Sequence, residues 1–141
     1  MTTPFTPPRL IFDCHLDISM NALEFNRDQR WTLEQIRRNE TVANNLRPDG
    51  VPGRMRNTVC LPEMRRGRIG LCVATQISRY TPPYGNLPGW RSPEQAWAHT
   101  QGQLAYYRAM EDCGEMVQLR TGAEVDAHAA RWMAASRWGR S

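Results

Sequence analysis

Three residues able to do chemistry crowd one short stretch: Asp13, His15 and Asp17, spaced two apart within Arg9-Leu-Ile-Phe-Asp-Cys-His-Leu-Asp17. The stretch alternates as a strand would, with Leu10, Phe12, Cys14 and Leu16 on one face and Ile11, Asp13, His15 and Asp17 on the other. Side chains two apart in a strand leave the same face within about 7 Å of one another, so an imidazole and a carboxylate can converge on one cation. His15 and Asp17 also fall at the C-terminal end of the strand, where parallel α/β folds gather their ligands. An H-x-D pair arises often by chance, and a His–Asp hydrogen bond without metal is its plainer reading. Three polar groups aimed into an interior nonetheless need a partner, and a cation is one.

The elements that must position this cluster can be read along the chain. Thr32 and Gln35 have capping-box spacing and open a short helix that ends by about Asn39. Residues 44–57, with Pro48, Gly50, Pro52 and Gly53, read as a loop. Pro62 suits the first turn of a helix over Leu61 to Arg66, stopped by Gly67. Ile69 to Ser78 reads as a second strand whose Gly70, Cys72 and Ala74 make a crowded inner face. After the Pro- and Gly-rich loop from Tyr80 to Trp90, Ser92-Pro-Glu-Gln95 starts a helix running to Cys113, with Trp97, Leu104 and Met110 inward. Glu115 to Arg120 reads as a third strand, and Thr121 with Glu124 opens a last helix carrying Val125, Ala129 and Trp132 on one face. Strands alternating with helices predict an α/β fold of parallel βα units, either a doubly wound sheet or part of a (β/α)₈ barrel. A complete barrel takes about 250 residues, which leaves room here for about three of the eight units.

Composition bounds the rest. At 141 residues, 40% hydrophobic and 23% charged, the chain is expected to form one packed domain. No apolar run approaches the roughly 20 residues that span a bilayer, and Met1 to Pro8 lacks a secretory signal, so a cytoplasmic protein without a membrane partner is expected. The net charge is +4, and all 18 basic residues are Arg. They are scattered among 14 acids rather than clustered, which argues against a nucleic-acid partner. Cys14, Cys60, Cys72 and Cys113 form no C-x-x-C pair and are expected to be buried free thiols. Met55, Met64, Met110 and Met116 read as gap fillers, and Tyr106 and Tyr107 as packing residues.

Two segments resemble the membrane dipeptidase (renal dipeptidase) family of zinc peptidases. Asp13-Cys-His-Leu-Asp17 is similar to its opening D-x-H-x-D, and Leu61-Pro-Glu-Met-Arg-Arg-Gly-Arg-Ile-Gly70 to its L-P-x-x-R-x-G-x-V-G segment. The helix from Pro93 and Arg120-Thr-Gly-Ala-Glu-Val-Asp126 extend the likeness over nearly the whole chain. The resemblance implies a TIM-type (β/α)₈ barrel of which residues 1–141 are a single partial domain, the N-terminal portion. It implies a site for two Zn²⁺ ions whose first-strand ligands are His15 and Asp17, and hydrolysis of dipeptide substrates by a metal-activated water. The family's bridging Glu lies on the next strand and its further His ligands later still. No residue here takes those places, so the chain is expected to be inactive alone, and its unpaired edges predict a homo-oligomer. The alternative is a small non-catalytic α/β module that binds an acidic partner through its basic surface.

Overall fold

The computed structural model describes residues 10–85 and 89–135. The fold is mixed α/β. Strands β1 (Ile11–Leu16) and β2 (Ile69–Ala74) pair in parallel, accompanied among the described residues by helices α1 (Ile18–Glu24), α2 (Leu33–Leu46), α3 (Leu61–Arg66), α4 (Pro93–Asp112) and α5 (Gly122–Ala134). Parallel strands need a long crossover, and here α1, α2 and α3 all lie within it. Among the described residues no helix is long and apolar enough to cross a membrane.

The expected helix starts hold. Thr32, Ser92 and Thr121 each accept the backbone N–H of a residue three further on, and Gln35, Gln95 and Glu124 each return a bond to the cap's own N–H. Each such cap typically contributes about 1 kcal/mol. The core is small: Ile18, Leu61, Met64 and Met110 are buried together, with Leu16, Ile69, Cys72, Tyr106 and Tyr107 packed around them. Ile18 and Ala22, one helical turn apart, are the buried stripe of α1.

A second buried centre is ionic. Arg27 and Glu40 have side chains only 4% exposed each, and Arg27 donates to Glu40 through Nε (2.7 Å) and Nη2 (3.3 Å). The same guanidinium reaches Asn21 Oδ1 on α1 and the Gly53 carbonyl, and it lies over the Phe25 ring. Glu40 also accepts the Met55 N–H. Burial alone would push the Glu40 carboxyl up, but the bonds from Arg27 and Met55 hold it below its ordinary value. This hub fastens the 49–57 loop to α1 and α2.

Several expectations change. Helix α2 continues to Leu46 rather than ending near Asn39, because Glu40 anchors its second half from within. Helix α1 is an addition to the elements expected from the sequence. Strand β2 ends at Ala74, since β1 stops at Leu16 and the Gln103 side chain takes over both backbone groups of Ile77, accepting its N–H at 2.9 Å and donating to its carbonyl at 2.5 Å. The expected third strand over residues 115–120 is not formed, so the described residues hold two strands rather than three βα units. The N–H groups of Glu115 and Met116 turn back to the Met110 carbonyl, that of Gln118 goes to Glu111 Oε1, and Arg65 takes the Glu115 carbonyl. The end of α4 thereby occupies groups that a ladder would need. Trp97, expected inward, is 65% exposed. Of the cysteines Cys60 is buried and Cys72 half-buried, whereas Cys14 and Cys113 are exposed. Cys14 and Phe12 lie exposed on one face of β1, and Cys113 caps α4 at the surface. Met55 is exposed too, in a loop where its φ is 61°.

Candidate metal centre

The site begins where β1 passes into α1. The expected pair comes together, though at the surface rather than aimed into an interior: His15 Nε2 stands 3.5 Å from Asp17 Oδ1, which lies just past the end of the strand. Asp13 turns back locally, its Oδ1 accepting the His15 N–H at 2.9 Å. Its carboxylate thus steadies the backbone of His15. The His15 side chain is 73% exposed and that of Asp17 25%, so the imidazole is open to solvent while the carboxylate is rooted.

Asp17 is rooted in an unusual way. It occupies the N-cap of α1, where a carboxylate ordinarily accepts a backbone N–H of the first turn, yet its side chain caps nothing. Oδ1 accepts instead the hydroxyl of Thr75, just beyond the end of β2. The Ser19 N–H in the first turn of α1 is donated to the Tyr107 phenol oxygen at 3.2 Å. Tyr107 in turn donates to the Thr75 carbonyl at 2.8 Å, and burial raises its pKa above the ordinary value, keeping it a donor. The Ser19 hydroxyl lies 3.2 Å from Gln103 Oε1 and 3.3 Å from the Thr75 carbonyl, with Ser19 and Gln103 both fully buried.

Two donors each about 2.0–2.2 Å from a tetrahedral zinc lie about 3.4 Å apart, close to the His15–Asp17 separation, so the pair fits two corners of one ion. Among the described residues no group of three His, Cys, Asp or Glu side chains gathers to complete such a shell. His99 and His128 serve elsewhere. His99 stacks against Trp90 and meets Gln103 Nε2 at 3.1 Å and Glu24 at 3.6 Å. His128 Nε2 sits 2.7 Å from the Gly70 carbonyl of β2.

The spacing of His15 and Asp17 is visible in the sequence, whereas nothing local marks Thr75, Tyr107, Ser19 and Gln103 as their polar partners. Their separations in the chain reach 58 residues for Thr75 with Asp17 and 88 for Tyr107 with Ser19, and no local pattern spans such distances. Compared with protein-family models, curated proteins and solved structures, the chain has no significant match.

Proposed function

We propose that this chain carries the first-strand metal ligands of a zinc-dependent dipeptidase of the membrane dipeptidase type. The observation that supports the reading best is the pairing of His15 Nε2 with Asp17 Oδ1 at 3.5 Å, at the C-terminal end of a parallel strand. When bound, zinc would activate a water for attack on a peptide carbonyl and polarise the carbonyl oxygen. Of the chain's own residues, His15 turns a ring nitrogen toward solvent, Asp17 offers a carboxylate held by Thr75, and Asp13 holds the backbone of His15. In this reading the 141 residues are the opening portion of a (β/α)₈ barrel, and the rest of the ligand set comes from later strands. Catalytic zinc ordinarily takes three protein ligands, so two should bind it weakly and hydrolyse nothing.

The test has two parts. Calorimetric titration with zinc should detect weak uptake that His15→Ala abolishes. Dipeptide hydrolysis should be undetectable for residues 1–141 and appear when the downstream portion of a complete dipeptidase is fused after Ser141. Equal zinc uptake by wild type and His15→Ala would remove the metal assignment and favour the non-catalytic module.

A further inference from the structure

We propose that Thr75 and Tyr107 together are positioning residues that divert Asp17 from capping α1 and present its carboxylate beside His15. The inference rests on the metal reading above and adds the question of what sets the ligand. A carboxylate at a helix N-cap has a competing use: the first-turn N–H groups need an acceptor, and Asp is among the best suppliers of one. Left to local forces, Asp17 would fold back onto α1 and point away from His15. The fold meets one of those N–H groups from elsewhere and gives the carboxylate another donor. The Ser19 N–H is already satisfied by the Tyr107 phenol, which arrives from α4. The Thr75 hydroxyl gives Oδ1 a donor on the side of the sheet.

Thr75 can do this because its own backbone is fixed. Its N–H continues the ladder to the Leu16 carbonyl at 3.0 Å, which sets it beside Asp17, and its carbonyl accepts Tyr107 at 2.8 Å. A branched side chain on so constrained a backbone has few rotamers, which aims the hydroxyl. Gln103 extends the brace, reaching Ser19 on α1 and both backbone groups of Ile77 from one buried amide. Outer partners of this kind commonly govern metal affinity by about 10- to 100-fold, because they fix the ligand's orientation before the ion arrives.

The experiment is a titration of the full chain with zinc alone, followed by calorimetry, on wild type, His15→Ala, Thr75→Val, Thr75→Ser and Tyr107→Phe, with thermal unfolding of each. Thr75→Val keeps the branched shape and loses the donor, so affinity should fall roughly tenfold. Thr75→Ser restores the hydroxyl and should return affinity to near wild type. Tyr107→Phe frees the Ser19 N–H for Asp17 to cap, so affinity should again fall about tenfold while the melting temperature drops little, because one acceptor replaces the other. Wild-type affinity in both Thr75→Val and Tyr107→Phe, with His15→Ala still abolishing uptake, would overturn the positioning role alone. Uptake unaffected by His15→Ala would remove the metal reading and this inference with it.

Discussion

Gly70 is where a single missing side chain decides how the structure closes. A Cβ there would stand 2.4 Å from two ring carbons of Trp132 and 2.7 Å from Leu10 Cδ1, so the indole packs on the bare backbone of β2. One turn before Trp132, His128 donates from Nε2 to the Gly70 carbonyl. The imidazole satisfies a backbone acceptor of β2, and the indole covers the strand around it. Gly70→Ala should therefore push Trp132 away and loosen α5. Overpacking of this kind costs about 1–3 kcal/mol, read as a lower urea midpoint with unchanged slope. An unaltered midpoint would mean that the indole has room to yield.

At the scale of elements, the Arg27–Glu40 hub joins α1, α2 and the 49–57 loop. Removing Arg27 leaves the buried Glu40 carboxylate with Arg54 alone, 3.5 Å away and partly exposed, so Arg27→Met should cost up to about 3–5 kcal/mol, whereas Arg27→Met with Glu40→Leu should recover most of that loss. Urea unfolding of the two single variants and the double variant measures the coupling. The same pair gives an acid limb to stability. The folded Glu40 carboxyl lies below its ordinary value, so its contribution is complete above the ordinary glutamate range and is lost as pH falls through the folded value. Wild type should weaken progressively below about pH 4.5, and the double variant should lack this component.

These contacts also mark how far the sequence could be read. Thr32, Ser92 and Thr121 were legible as helix starts because a capping box closes within four residues. The same locality exposed His15 and Asp17. Helix α1 escaped notice because its seven residues carry only one buried turn, Ile18 to Ala22. The extension of α2 escaped because Glu40, a residue that ordinarily belongs to the surface, is buried against Arg27, thirteen residues earlier. The failed third strand has the same cause. Residues 115–120 have the alternation of a strand, but their N–H groups were committed to Met110 and Glu111 by the way α4 ends.

At the scale of the whole molecule, the two strands among the described residues make a sheet in which both are edges. Phe12 is 52% exposed and Val73 47%, with Ile11 at 36%, so the sheet offers apolar side chains together with unpaired backbone. Sedimentation velocity should show association that rises with protein concentration, and a lone sedimenting monomer at every concentration would oppose it. The hub at Arg27 has a consequence of another sort, in how descendants of this sequence can change. A codon change at either position 27 or position 40 alone leaves a charge sealed among Asn21, Phe25, Gly53 and Met55. Selection would discard that intermediate, so the two codons are inherited as one unit. Across lineages they should stay fixed together or be replaced together, while exposed arginines such as Arg30 drift freely.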